Sequence, residues 1–405
     1  MLAKLAWRNL WRNRLRTGIM LTAMVFGLMS AVTMMGLTTG MYRSMIDNAI
    51  AWQTSHLQVH HRDYLTNPDI RSVLDHPETL IATLKRSPQV KAWSARFVAT
   101  GMVASARSAR GVRINGIDPA EEAAVTPLAG SLREGQWLSG PGHNPVLMSV
   151  KTATRLKVKV GSKVVLTFTN AAGDVVGAAF RIRGLFRTPA SGFDEGNVFV
   201  RRTDLVPLAG INGSHELAVL LDDENNAFAF REILQASSSA QNRVRDWTQV
   251  QPMLATMINQ MGVSNAIMLT IFVVALGFGI VNIMLMSVFE RTREFGVLMA
   301  VGMPKRQIFL LILMEAGWLG IAGAVAGLIS SLAVIRLLQY TGVPLGGLAE
   351  GLGAFGVDTV LYPAVSVSDY QMILLTVVAA SLLAALYPAR QILKKQPVEA
   401  MAEKH

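Results

Sequence analysis

Four long stretches of this chain carry no charge at all. They run between Arg16 and Arg43, between Asp246 and Glu290, between Glu315 and Arg336, and between Asp369 and Arg390. Each can supply the roughly 20 apolar residues needed to cross a hydrocarbon core about 30 Å thick. The pattern predicts transmembrane helices over 17–42, 263–289, 307–338 and 369–389. Around them it leaves a basic amphipathic start (1–16), an outer domain (43–262), a short connection (290–306), a loop (339–368) and a tail (390–405). The first run follows Lys4, Arg8, Arg12, Arg14 and Arg16, as a signal peptide would. An h-region, however, is only about 7–15 residues long, so an uncleaved anchor is expected.

Between the first two runs the pattern changes period. Alternating or β-rich stretches at His56–His61, Ala92–Ala106, Gly111–Gly116, Val146–Val150, Ser162–Phe168, Val175–Phe186, Asn197–Val200 and Glu216–Leu221 read as strands. Helical spacing marks Pro77–Arg86, Ser149–Leu156 and Asn225–Gln235, and Asn170–Asp174 reads as a turn. The expected fold class is therefore an α-helical membrane protein with four transmembrane helices and an α+β extracytoplasmic domain between the first and second. About 220 residues suffice for two lobes, with an inserted lobe near 107–200. From Asp246 to Phe289 helical periodicity scarcely breaks, apart from Pro252 and Gly262. This predicts a stiff helix protruding beyond the bilayer.

Composition agrees: 51% of the 405 residues are apolar and only 16% charged, with a mean hydropathy of +0.36, where a soluble chain is about a quarter charged. The basic residues fix an expected orientation. Five lie in the first 16 residues, Arg291, Arg293, Lys305 and Arg306 lie in the second connection, and Arg390, Lys394, Lys395 and Lys404 follow the last run. The 339–368 loop holds Glu350 and Asp358 and no base. By the positive-inside rule, both termini face the cytoplasm and residues 43–262 the other side, as in a bacterial inner-membrane protein. The net charge of +11 is spread over the outer domain or gathered at the cytoplasmic edge. It reads as topology and lipid contact, and nucleic acid is not an expected partner. The absence of cysteine excludes disulfides and thiolate metal sites.

Catalytic motifs are absent: no P-loop, no His-Glu-x-x-His and no Gly-x-Ser-x-Gly elbow occurs. No catalytic residue, metal or cofactor is therefore expected on this chain. His56 and His60 share a strand face with Gln58, while Leu57 and Val59 face inward; alternate imidazoles can share a metal, but the wet face of a half-buried strand is the favoured reading. Trp7 and Trp11, four apart, suit a helix at the headgroup boundary. Gly317, Gly320, Gly323 and Gly327 let helices approach closely in lipid. Glu315 lies roughly 14 Å beyond Arg306 along the third run at helical rise. An acid there is costly; proton coupling is weighed against a helix–helix hydrogen bond or a carboxylate reaching the headgroups, with the last two favoured.

The most informative segment is Glu-Arg-Thr-Arg-Glu-Phe-Gly-Val-Leu-Met-Ala-Val-Gly, residues 290–302. A membrane helix runs out into a charged turn (Glu290, Arg291, Arg293, Glu294), and a short helix offers Phe295, Leu298 and Met299 on one face before Gly302, Pro304 and Lys305. Such a helix is a handle for another protein, with Phe295 the expected anchor.

This segment resembles the cytoplasmic signature of the FtsX-like permeases, the membrane subunits of type VII ABC transporters. The order of basic start, span, outer domain, three spans and basic tail also matches along nearly the whole chain. The ending Leu386-Tyr-Pro-Ala-Arg-Gln391 and Gln396-Pro-Val-Glu-Ala-Met401 is similar to the family's C-terminal signature. The resemblance implies mechanotransmission: a separate cytoplasmic ATPase dimer, which binds ATP and Mg, grips the 291–305 segment and drives the outer domains. It implies a second permease copy or homologous permease, and a periplasmic carrier or adaptor. Length and layout look most like the lipoprotein-releasing members, although the hook those insert between two strands is here the short Asn170–Asp174 turn. Lipoprotein release is the expected function; drug or peptide efflux with an adaptor, or a signalling permease that activates an envelope hydrolase, are the alternatives.

Overall fold

The computed structural model describes residues 2–12 and 14–394. Lys395, Lys404 and the 396–401 signature lie outside the described residues. In chain order the elements begin with helix α1 (Leu2–Leu10) and the 36-residue α2 (Arg14–Ala49), which ends in a π-helical turn, Ile50–Thr54. Then come β1 (Leu57–His61), α3 (Pro77–Arg86), β2 (Val90–Ala104), β3 (Ala109–Ile117), α4 (Pro119–Val125), β4 (Leu132–Gly135) and β5 (Pro145–Ser149). These are followed by α5 (Val150–Leu156), β6 (Lys163–Thr169), β7 (Val175–Phe186), α6 (Ser191–Gly196), β8 (Asn197–Arg201) and α7 (Arg202–Ala209). The outer segment closes with β9 (Glu216–Leu221), α8 (Ala227–Ala236), β10 (Asn242–Asp246) and α9 (Trp247–Val250). Last come α10 (Pro252–Glu290), α11 (Thr292–Ala300), α12 (Lys305–Thr341), α13 (Leu348–Gly353) and α14 (Val367–Lys394).

Among the described residues, four helical segments are long and apolar enough to cross a membrane: Thr17–Thr54, Pro252–Glu290, Lys305–Thr341 and Val367–Gln391. The chain divides into two compact units, one of residues up to 41, 259–343 and 361 onward, the other of 42–258 and 344–360.

In the membrane unit, α12 is the central packing element, and glycine is why. A Cβ on Gly323 would meet Met24 and one on Gly327 would meet Leu28, at 2.6 and 2.9 Å, so α2 lies directly on this face. Gly317 and Gly320 turn instead toward Leu382 and Ser381 of α14. Close approach of small residues replaces the hydrophobic drive that lipid removes. Against α12 also sits α1, whose Ala6 and Leu10 are buried and whose Trp7 meets Trp318 edge-on at 5.4 Å.

The outer unit is built on one long strand. Residues Val90–Arg96 of β2 pair antiparallel with β9, which continues through β1 to β10. From Phe97 onward β2 pairs with β3, and the path continues through β8, β5 and β7, with β6 joining β7 back to β2. Six strands thus close into a ring around Phe97, Ile114, Val146, Leu166, Phe180 and Val198. The first lobe has its own core of Leu57, Val59, Leu80, Leu217, Phe230 and Val244. The second lobe therefore starts in mid-strand at Phe97 and ends near Ala209, correcting the expected 107–200. No turn residue marks a strand that changes sheet, so its point of crossing is invisible in the sequence. Within the predicted 339–368 loop, residues 344–360 belong to this unit: the Asn48 side-chain amide donates to the Gly356 carbonyl at 2.8 Å. The predicted run of helix from Asp246 is interrupted at Gln251, and Pro252 opens α10, where its missing N–H costs nothing.

The histidine reading also changes. His60 is 1% exposed, because β1 lies between β9 and β10 and both its faces are covered. A carboxylate partner does exist, with His60 Nε2 3.6 Å from Glu216 of β9. His215 Nδ1 accepts from Val98 N–H at 3.0 Å, which leaves Nε2 to donate to the Ile70 carbonyl at 2.8 Å. Burial holds His56, His60 and His215 below the ordinary histidine value, against the pull of Glu216 on His60.

A histidine whose folded value is lowered binds fewer protons folded than unfolded just below 6.5, so stability falls as pH falls there. Asp194, pushed up to about 6 by burial, acts in the opposite sense around that value, but it is one carboxyl against three imidazoles. Protection of the β1 and β9 amides in the full chain, taken relative to their intrinsic exchange rate at each pH, should therefore fall on acidification from 6.5 toward 6. The loss is capped at about 1.4 kcal/mol per histidine per pH unit. Protection that rises over this window would show that these imidazoles are charged in the fold.

Candidate functional site

The site is the turn and short helix between α10 and α12. Helix α10 ends at Glu290, and Thr292 Oγ1 donates back to the Phe289 carbonyl at 2.9 Å. Helix α11 then runs to Ala300 and stops as Gly302 enters the left-handed region at φ +100°, a conformation that costs glycine little. Pro304 precedes the first residue of α12.

Phe295 is 1% exposed and belongs to the core of the membrane unit, with Leu298 and Met299 packed against the same core. This corrects the expected anchor. The apolar face of α11 points inward because it seals the end of the helix bundle, so Phe295 is not presented to a partner. The outward face carries Arg293, Val297, Ala300 and Val301, with Lys305 beyond; Val301 is 83% exposed. Val297 and Val301 follow Arg293 at four-residue spacing. That row was legible, but a helix with apolar residues on two sides does not announce which side is covered.

A chain of charges fixes the helix. Arg291, 8% exposed, donates through Nη1 to both Glu315 oxygens at 3.0 and 3.2 Å and through Nε to Glu294 at 3.0 Å. Its guanidinium lies 5.2 Å from the Phe295 ring, a cation–π distance. Glu294 in turn accepts from Arg12 at 2.5 Å. Burial pushes the Glu294 carboxyl up, but the hydrogen bonds from Arg12 and Arg291 outweigh this and hold it below the usual range. Four side chains thus tie the turn after α1, α11 and α12 together. Glu315 is an ion-paired acid rather than the hydrogen-bonding or headgroup-reaching one expected, and Arg291 of the turn is one of its partners. Glu290 and Lys305 are exposed beside this chain. Among the described residues no group of three or more His, Cys, Asp or Glu could hold a metal.

Fold and site together define a multi-pass membrane permease. The chain belongs to the FtsX/MacB-type permeases of ABC transporters: a MacB-like periplasmic core domain matches residues 17–237 and an FtsX-like permease C-terminal domain matches 266–397. It is similar to the lipoprotein-releasing system transmembrane protein LolC of Neisseria meningitidis, 25% identical over 83% of this chain and 82% of that one. LolC of Xylella fastidiosa is 24% identical over 71% and 72%. The macrolide export ATP-binding/permease protein MacB of Brucella melitensis is 28% identical over 85% of this chain, which spans about half, 54%, of that protein. Among solved structures, the periplasmic region of MacB from Actinobacillus actinomycetemcomitans is 10% identical with a TM-score of 0.37, covering 52% of this chain and 97% of that one. The protein is thus a multi-pass permease of the bacterial inner membrane, of a family that works with ATPase partners.

Proposed function

We propose that this chain is the permease subunit through which a separate cytoplasmic ATPase dimer does work on lipoproteins or another hydrophobic envelope substrate. The observation that carries the reading is the handle: a short helix fixed by a buried ion pair to α12, with a basic and apolar outward face. Likeness to LolC over most of both chains supports the substrate class. Likeness to MacB supports the second reading, efflux of a hydrophobic compound with a periplasmic adaptor. A second permease copy is the proposed cover for α10, the most apolar span, whose most apolar 18-residue stretch is 11% buried within this chain.

The decisive residue is Val297. Aspartate there places charge in the centre of the outward face while leaving Phe295 packed. It should cost about 2 kcal/mol or more of ATPase binding if Val297 fills a pocket on the partner. A pull-down of the ATPase with correctly inserted Val297→Asp checks this, and wild-type binding would remove α11 as the handle. Orientation is checked by impermeant maleimide on single cysteines in this cysteine-free chain. Val175→Cys should label in intact cells and Arg293→Cys should not, both positions being exposed. Equal labelling of both would remove the four-span topology.

A further inference from the structure

The outer unit holds a second buried charge network, and the handle does not use it. Its centre is Arg96, 5% exposed, the last residue of β2 to pair with β9 before the strand passes to β3. Arg96 donates through Nε and Nη2 to the two oxygens of Glu122 on α4, both at 2.8 Å, and through Nη1 to Glu216 at 2.5 Å. The other Glu216 oxygen accepts from Arg113 of β3 at 2.5 Å. Glu216 belongs to the first lobe, and Glu122 and Arg113 to the second, so the two lobes share one set of balanced charges.

The same network reaches the root of a membrane helix. Arg96 Nη1 also donates to the backbone carbonyl of Gln53 at 3.2 Å, and Gln58 Nε2 donates to that carbonyl at 2.9 Å and to Glu216 at 3.1 Å. Gln53 lies in the π-helical turn that ends α2. Such turns are rare and gather at functional places. Its carbonyl needs outside donors because the next residues leave the helix: Ser55 stands at φ 54°, uncommon for a residue with a side chain. The Gln53 side chain accepts from Gln251 Nε2 at 2.8 Å, and Gln251 immediately precedes the first residue of α10. One residue therefore joins the end of the first span's helix, the start of the second span's helix, and the ion set shared by the two lobes.

We propose that Gln53, Gln251 and Arg96 form a relay that passes displacement of the two helix roots into the angle between the lobes of the outer domain. Arg96 is a positioning residue in this scheme. Buried charges of this kind are seldom needed for stability, since apolar residues of like volume usually serve as well. A network that only held the sheet would not have to reach both helix roots. The relay rests on the proposed function for the force that moves the roots, but its own geometry lies wholly within the outer unit.

The test uses the full chain in nanodiscs with its ATPase, spin-labelled at Val175→Cys in the second lobe and Phe228→Cys in the first. Both positions are exposed and the chain has no other cysteine. Trapping with ATP and vanadate should shift the interlobe distance in wild type. In Arg96→Lys, which keeps the charge and loses the fork, and in Gln53→Ala/Gln251→Ala, the shift should vanish while ATP turnover persists and the outer domain still melts cooperatively above the assay temperature. A shift that survives in both variants, or a wild-type distance that stays fixed while ATP turns over, overturns the relay. Should the ATPase not bind, the proposed function fails, and the relay is read in the permease alone. There the interlobe distribution should broaden in Arg96→Lys and not in the peripheral control Arg201→Lys; equal widths overturn it.

Discussion

Glu315→Ala is expected to lower the stability of the membrane unit by about 3–5 kcal/mol, the usual cost of removing one partner from a buried ion pair. Glu315 and Arg291 are 8% and 10% exposed at their side chains, and within an apolar bundle the abandoned guanidinium has nowhere to be solvated. Glu294 still bonds Arg291 at 3.0 Å, but it is 45% exposed and shared with Arg12, so it cannot take over the buried end. The informative comparison is the double replacement Arg291→Met/Glu315→Leu. It removes both charges at similar volume, which is often neutral or stabilising. Thermal midpoints in detergent should therefore fall for Glu315→Ala and recover in the double variant. Stimulation of ATP hydrolysis by the permease should stay low in both, because α11 would be packed but no longer tied to α12. If the double variant recovers stimulation as well, the pair serves only to fill the bundle.

Much of this architecture was legible, and the parts that were not share a cause. Uncharged runs longer than a bilayer, and β patterning such as Val175–Phe186 and Glu216–Leu221, report local chemistry that repeats along the chain. The strands β4 and β10 and the helices α4, α6 and α7 were not predicted, since each is short and takes its place from neighbours rather than from a periodic face. Partnerships were harder still. Arg291 finds Glu315 24 residues away, Arg96 finds Glu216 120 away, and Arg12 finds Glu294 282 away. Sequence supplied the charged residues of the handle and the oddity of Glu315, but not the fact that they pair. Phe295 shows the converse limit: an amphipathic pattern says that one face will be covered, and the covering turned out to be the protein's own core. His60 erred in the same direction, because alternation cannot tell a strand with one wet face from one covered on both faces.

Replacing Arg96 by methionine should be the most damaging single change in the outer domain. Glu122 is 1% exposed and Glu216 is 2% exposed at their side chains, and Arg96 supplies three of the hydrogen bonds they receive. Ser94 and Thr126 remain for Glu122, and Arg113 for Glu216, but none is a charge placed between the two. About 3–5 kcal/mol should be lost, which in a unit of this size lowers the thermal midpoint by about 10 °C. Acidity then separates a lost ion pair from a lost volume. In wild type, burial pushes the Glu216 carboxyl up, but Arg113 and Arg96 outweigh it and hold it well below the usual carboxylate range, so its contribution is lost only in strong acid. Without Arg96 the folded-state value of the Glu216 carboxyl rises, and the folded variant takes up a proton there more readily than wild type. Lowering the pH should therefore narrow the gap between variant and wild type, while a cavity left by a shorter side chain would keep it constant. The measurement is a pair of melting curves at neutral pH and near the carboxylate range. A gap that does not change with pH would mean that Arg96 acts through packing, and that the two carboxylates are held by their other partners, among them Arg113, Gln58 and the hydroxyls.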